Sequence, residues 1–83
     1  MIDIIKERLS HLSPLMIEIT DQSHLHHGHK GNSGGGHYTL TITSASFSQL
    51  KRMQRHRLIY DALADLIPHK IHALSIKALA PDE

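Results

Sequence analysis

The chain has 83 residues, enough for one domain with a single modest core and too few for two, so we expect one domain over residues 1–83. Nine lysines and arginines against eight aspartates and glutamates leave a formal charge of +1, which gives no general electrostatic case for nucleic-acid binding. Cysteine is absent and no apolar run has membrane-spanning length, so we expect no disulfide, no membrane insertion and a cytoplasmic location, in the bacterial cytosol or an organelle matrix.

The first predicted element is an amphipathic helix whose apolar residues recur at three- and four-residue steps: Ile2, Ile5, Leu9 and Leu12. It should end near Pro14, because a proline pushes the residue before it out of helical geometry. Residues 15–20 and 38–43 then alternate apolar and polar side chains, which predicts two half-buried strands. We expect them to pair as an antiparallel hairpin with an unusually long connection.

Two helical stretches are predicted next. Ser44 and Ser46 offer a cap for the first, and the second carries an apolar face that ends at Pro68. A third strand over residues 71–78 places four side chains on one face: His72, Leu74, Ile76 and Ala78. A strand reached through helices can pair in parallel with its sheet neighbour. The predicted class is therefore α+β, in the order α-β-β-α-α-β, with a three-stranded mixed sheet and the helices on one face.

Residues 22–37, between the first two strands, are predicted to form a flexible histidine- and glycine-rich loop. Five of the nine histidines lie there: His24, His26, His27, His29 and His37. Neutral imidazole is the commonest metal ligand, so the loop points to metal chemistry. The alternative is a solvated polar tract that only scavenges divalent metal. A glycine-rich loop does not hold four ligands rigidly, so we expect it to donate one ligand to a centre organised by something else.

His72 has two interpretations. Its alternation with Leu74 and Ile76 is typical of a core histidine hydrogen-bonded to the backbone. Its place at the start of a strand favours the rim of the sheet, where a side chain on a rigid element is well placed to be a ligand.

A cluster of basic residues lies in the predicted helical region: Lys51, Arg52, Arg55 and Arg57. It could contact DNA phosphates, but four charges on a nearly neutral domain give weak, salt-sensitive binding without base readout. A solvated basic face, or a surface that steers an acidic partner or the carboxylates of glutathione, is the alternative.

Three motifs carry a resemblance to a known family: Asp21-Gln-Ser-His-Leu-His26 with His29 downstream, Phe47 followed by Arg55-His-Arg-Leu-Ile-Tyr60, and Ile71-His-Ala-Leu74. In order and spacing they resemble the BolA family, over nearly the whole chain. The resemblance implies a fold similar to the second class of KH domains. Gln49 departs from the family, which usually has glycine there, and the Gly-x-x-Gly loop of true KH domains is absent between the predicted central helices.

The resemblance implies two roles: partner of a monothiol glutaredoxin in iron–sulfur cluster handling, and, for some members, DNA-binding regulator. It makes His72 a cluster ligand, paired with a loop histidine; His26 and His29 match best and His37 is the fallback. The remaining ligands of a shared [2Fe-2S] cluster would be the glutaredoxin cysteine and glutathione, since histidine can replace cysteine on one iron.

We therefore predict an adaptor that is not an enzyme, because no nucleophile lies beside a base in a recognisable motif and the acidic residues are scattered. The isolated chain is expected to bind no cofactor tightly and to be a monomer or a weak homodimer. The alternative function is a DNA-binding transcriptional regulator that uses the basic cluster of residues 51–57.

Overall fold

A computed structural model of the chain describes residues 1–23 and 36–83. The sheet has three strands in the order β1-β2-β3, with β2 antiparallel to β1 and parallel to β3. This confirms the α+β class and the mixed sheet. The elements in chain order are α1 (Ile2–Leu9), a 3-10 turn (Ser10–Leu12), β1 (Met16–Asp21), β2 (Gly36–Thr43), a second 3-10 turn (Ala45–Phe47), α2 (Arg52–Ala62) and β3 (Ile71–Leu79).

Both helices contribute to a core on one face of the sheet. On β2 the side chains of Tyr38, Leu40 and Ile42 are buried, whereas those at the alternate positions are only half-buried. This period-two burial is what the alternating sequence of β2 predicts. The fully buried core side chains from the other elements are Ile5, Leu9, Phe47, Ile59, Leu63 and Ile71.

The chain between β2 and β3 differs from the prediction of two helices. The first predicted helix is only the 3-10 turn Ala45–Phe47, in which the Ser44 hydroxyl accepts a hydrogen bond from the Ser46 amide. Gln49 then adopts a φ of 67°, which interrupts right-handed helical geometry. The following helix, α2, starts where the Gln54 side chain accepts a hydrogen bond from the Lys51 amide. A left-handed residue explains why a glycine would suit position 49.

The predicted stop at Pro68 is also wrong, because α2 ends at Ala62 and residues 63–70 form turns. Leu63 and Leu66 remain buried in these turns, as the apolar pattern predicted. The Leu66 carbonyl accepts hydrogen bonds from the amides of Lys70 and Ile71, which directs the chain into β3. Turns thus keep the predicted side chains in the core without a longer helix.

A β-bulge occurs at the start of β3. The register runs from the pair Gly36–Ile71 directly to the pair His37–Ala73, so His72 is the extra residue on β3. The predicted shared face of His72 and Leu74 is therefore corrected: Leu74 packs against the core, whereas His72 is exposed. The predicted strand start at residue 15 also shifts, because β1 begins at Met16.

Candidate metal-ligand site

Two of the histidines predicted as ligands meet at one end of the sheet. The ring centroids of His37 and His72 are 5.1 Å apart, and the ring planes are tilted by 46°. Each is the second residue of its strand, and the parallel pairing of β2 with β3 brings the two strand starts together. The bulge at His72 interrupts the alternation that would otherwise put its side chain on the helix-covered face.

The separation of the two rings suits a common metal centre. A tetrahedral metal about 2.1 Å from one nitrogen of each imidazole lies about 3.2 Å from each ring centroid, which sets the centroids about 5.2 Å apart. The observed 5.1 Å matches this spacing. The Nε2 atom of His37 is buried, whereas His72 is exposed at the rim, where a second protein can reach it.

The pair does not make a complete metal site. Within residues 1–23 and 36–83, no group of three or more histidine, cysteine, aspartate or glutamate side chains could hold a metal ion. His26 and His29, the best-matched loop ligands, lie outside the described residues, as do His24 and His27. Any further ligands would therefore come from segment 24–35 or from another molecule.

Hydrogen bonds fix the backbone of His37. Its amide donates to the Ser23 hydroxyl at 3.0 Å, and its carbonyl accepts from the Gln22 amide at 2.8 Å. The amide of Gly36 donates to the Lys70 carbonyl, one residue before β3, at 3.0 Å. Ser23 and Gly36, the described residues on either side of segment 24–35, are thereby attached beside the histidine pair. Gly36 and His37 were predicted as the end of the loop, but they lie in β2.

Gly36 also leaves room for a neighbouring ring. A Cβ at this position would lie 2.4 Å from Cε2 of Tyr38, far inside normal contact distance. Tyr38 is buried on the opposite face from His37, and burial, followed by the charge of Asp21, raises the pKa of its hydroxyl. The first residues of β2 thus combine a core anchor at Tyr38 with a candidate ligand at His37.

Arg55, predicted as part of a nucleic-acid surface, is held inside the protein instead. Its guanidinium donates to both carboxylate oxygens of Glu83, at 2.5 and 2.6 Å, and to the carbonyls of Leu50 and Ala78, each at 3.0 Å. Only 9% of Arg55 is exposed. The hydrogen bonds from Arg55, with a further one from the Ala80 amide, lower the pKa of Glu83 to about 2. The exposed cations of the cluster are consequently Lys51, Arg52 and Arg57.

A shallow groove on α2 lies beside these cations. We call it the α2 groove; its lining residues are Arg52, Met53, His56, Arg57 and Tyr60. Met53 and Tyr60 are large apolar residues in this groove, yet Met53 is 78% exposed and Tyr60 is 41% exposed. The sequence signal for the groove was the seven-residue spacing of Met53 and Tyr60, which puts them on the same helix face as Arg57.

None of the helices in the described part of the chain is long and apolar enough to cross a membrane. A family model described as BolA-like protein matches residues 9–83. The chain is 35% identical over 81 residues to the DNA-binding transcriptional regulator BolA of Haemophilus influenzae, covering 96% of this chain and 77% of the relative. It is 41% identical over 86 residues to SufE-like protein 1, chloroplastic/mitochondrial, of Arabidopsis thaliana, covering 95% of this chain but only 23% of that relative.

Solved structures agree with the sequence relatives. The BolA domain of SufE1 from Arabidopsis thaliana superimposes with a TM-score of 0.80 at 42% identity, covering 94% of this chain and 88% of that one. BolA1 from the same plant gives a TM-score of 0.82 at 30% identity, with 98% and 92% covered. The three motifs, the mixed sheet and these likenesses agree, and the chain belongs to the BolA-like family.

Proposed function

We propose that this chain is an adaptor, not an enzyme, that pairs with a monothiol glutaredoxin and contributes histidine nitrogens to a shared [2Fe-2S] cluster. The observation that carries the proposal is the contact between His37 and His72 at the sheet rim. Histidine nitrogens can replace cysteine sulfurs on one iron of such a cluster. When bound, the cluster would supply one-electron chemistry and a unit that can be passed to another protein.

His72 is the first proposed ligand. It stands on a strand, and is exposed, so a ligand position there is both rigid and accessible to a cluster carried by a partner. The chain has no cysteine, so the sulfur ligands would come from the glutaredoxin cysteine and from glutathione. The proposed complex is therefore a heterodimer built around the cluster.

The second nitrogen would come from His37 or from a histidine of segment 24–35. The ring of His37 already lies at a distance from that of His72 that a shared tetrahedral metal allows. His26 follows Ser23 by three residues, so extended chain lets its Cα lie within about 11 Å of that residue, whose hydroxyl contacts the His37 amide. His29 lies six residues from Ser23, which allows a reach of about 22 Å. Chain length therefore permits each of the predicted loop ligands.

The test is to mix the purified chain with a cluster-bearing monothiol glutaredoxin in the presence of glutathione. We expect a heterodimer by native mass spectrometry, with visible absorption and circular dichroism that differ from those of the glutaredoxin alone. His72→Ala should remove the nitrogen-ligated spectrum, whereas His69→Ala, which changes an exposed histidine of the preceding turn, should leave it unchanged. Identical spectra for the wild-type chain and His72→Ala would overturn the proposal.

DNA-binding regulation is the second candidate function. Exposed Lys51, Arg52 and Arg57 favour it, as does the name of the relative from Haemophilus influenzae. Because Arg55 is bound to Glu83, three cations rather than four are available to phosphate. We expect at most weak duplex binding, steeply dependent on salt. Sequence-selective duplex binding at about 0.15 M salt by a chain that ignores cluster-bearing glutaredoxin would favour regulation instead.

A further inference from the structure

We propose that the α2 groove is a docking site for an acidic segment of a protein partner. Docking at this groove would be separate from the proposed cluster role and would not require a cluster. Two large apolar residues on one side of α2 are exposed to solvent, Met53 at 78% and Tyr60 at 41%. A helix of a monomeric domain gains nothing in stability from leaving both of these side chains in water.

The composition of the groove is that of a protein interface. Aromatic residues, methionine and arginine are enriched where proteins meet, and this groove contains Tyr60, Met53, Arg52 and Arg57. Methionine is unbranched and polarisable, so Met53 can adapt to the shape of an incoming apolar side chain. A phosphate backbone offers no apolar group to cover the exposed thioether of Met53. This favours a protein partner over nucleic acid.

The groove is held in a fixed orientation by contacts to the sheet. On the buried side of α2, Arg55 donates to the carbonyl of Ala78 at 3.0 Å. The Tyr60 hydroxyl donates a long hydrogen bond to the Leu74 carbonyl at 3.4 Å. α2 is therefore fastened to β3 near both of its ends, and a partner would meet a preformed surface, which reduces the entropy lost on binding.

The charge of the groove selects the chemistry of its partner. The basic residues among those lining it are Arg52, His56 and Arg57, and the lining contains no carboxylate. A second copy of this chain would bring the same cations against these, which is unfavourable. A segment with carboxylates beside an apolar residue would instead pair with the arginines and cover Met53. We therefore assign the groove to an acidic peptide segment.

The neighbouring surface extends the cationic character. A second groove shares Arg52 and His56 with the first and continues along the edge of β3 to Lys77 and Glu83. Glu83 does not reverse the charge there, because its carboxylate is paired with Arg55. An acidic segment lying along α2 would thus meet one further cation, Lys77, beyond the α2 groove itself.

The experiment uses two labelled peptides that differ only in charge. One carries aspartates and glutamates on both sides of a leucine and a phenylalanine, and the other has asparagine and glutamine in their place. Fluorescence anisotropy at about 0.15 M salt should show at least about tenfold tighter binding of the acidic peptide. Amide chemical shifts should change along α2 and the edge of β3. Equal affinities, or shifts confined to other elements, would overturn the proposal.

Matched variants locate the binding. Met53→Ser and Arg57→Gln should each weaken the acidic peptide by about fivefold or more, as expected for residues at the centre of an interface. The controls are Leu15→Ser, at a residue that is 71% exposed, and Lys6→Gln, on the exposed side of α1; neither should change the affinity. Circular dichroism would verify that every variant is folded. If all four variants bind alike, the groove is not the docking site.

Two further measurements separate this proposal from the functions above. A duplex DNA that binds the same α2 residues more tightly than the acidic peptide at the same salt would make the groove a nucleic-acid surface and overturn the proposal. His72→Ala should bind the acidic peptide as the wild-type chain does, even when it no longer forms a cluster heterodimer. A loss of peptide binding in His72→Ala would show that the partner docks at the histidine pair instead.

Discussion

The guanidinium of Arg55 and the carboxylate of Glu83 form a two-point ion pair that fastens the residues after β3 to the first half of α2. The same guanidinium holds the carbonyl of Ala78 in β3, and the same carboxylate accepts from the Ala80 amide. The elements on the two sides of the helix-to-strand connection are thereby joined through two side chains. A cation that sequence patterning assigns to a nucleic-acid surface is a structural residue here.

The first prediction ranks two substitutions in this pair. Arg55→Met should lower the midpoint of thermal unfolding more than Glu83→Gln does, because Arg55 also satisfies the carbonyls of Leu50 and Ala78. Arg57→Met, which removes an exposed cation two residues away, is the control and should change the midpoint little. Differential scanning calorimetry of the three variants checks the order. A smaller loss for Arg55→Met than for Glu83→Gln would contradict the structural role of Arg55.

The second prediction concerns acid stability. Arg55 depresses the pKa of Glu83 to about 2 in the folded chain, from its ordinary value of 4.5. A depressed carboxyl pKa contributes stability that is fully present above the unfolded pKa and is lost as pH falls through the folded one. Wild-type stability should therefore fall between about pH 5 and about pH 2 more steeply than that of Glu83→Gln. Urea unfolding across this range measures both slopes; parallel curves would refute the prediction.

Asp65 serves as an internal comparison for the same experiment. Its hydrogen bonds from Arg8 lower its pKa, so it loses stabilising charge in the same direction on acidification. Asp65→Asn should therefore also flatten the acid limb of the stability curve. Each variant should flatten the curve only in part, because the carboxylate of the other ion pair still becomes protonated as the pH falls.

The third prediction tests the close contact at the start of β2. Gly36→Ala places a methyl group 2.4 Å from the Tyr38 ring, so either the ring or the strand must shift. We expect a destabilisation of about 1–3 kcal/mol, typical of overpacking. Adding Tyr38→Phe to Gly36→Ala should recover little of the lost stability, because the added methyl group clashes with ring carbons as well as with the hydroxyl. Chemical denaturation gives the free energies; a neutral Gly36→Ala would show that the ring moves at no cost.

The fourth prediction uses the left-handed backbone at Gln49, whose φ is 67°. Glycine adopts this conformation without the steric cost that a Cβ imposes, so Gln49→Gly should stabilise the chain by about 0.5–1 kcal/mol. Ser48→Gly is the control, since Ser48 has a φ of −59° and gains nothing from glycine there. Opposite signs for the two glycine variants are expected in urea unfolding. Two destabilised variants would show that the Gln49 side chain matters more than its backbone.

The pattern of apolar residues was sufficient to predict the strands and the helix-covered face of the sheet. The period-two burial of Tyr38, Leu40 and Ile42 follows directly from their spacing. Two local backbone features were outside its reach: the positive φ of Gln49, which ends the first predicted helix as a single turn, and the bulge at His72. Neither feature alters the pattern of apolar and polar residues along the chain, so composition and periodicity do not indicate them.

The candidate site shows the same division between pattern and geometry. His72 and the basic cluster were identifiable as residue types, and the rim position of His72 follows from its place in the strand. The closeness of His37 to His72 depends on a parallel register with a bulge, and the withdrawal of Arg55 depends on a carboxylate 28 residues away in sequence. Long-range pairings of this kind are not encoded in local spacing.

The last prediction separates the candidate second ligands of the proposed cluster. If a histidine of segment 24–35 is the ligand, neighbours on the same segment can substitute for it, so His26→Ala and His29→Ala should each weaken the heterodimer cluster only partly. In that case the double variant should lose far more of the cluster spectrum than either single variant, and His37→Ala should retain the wild-type spectrum. If His37 is the ligand, His37→Ala alone should abolish the nitrogen-ligated spectrum while the double variant keeps it, because a ring held 5.1 Å from His72 on a strand has no nearby replacement. Visible circular dichroism of the four heterodimers distinguishes these outcomes, with His69→Ala as the control. If each single variant of His26 and His29 were as damaging as the pair, the idea that loop histidines replace one another would be wrong.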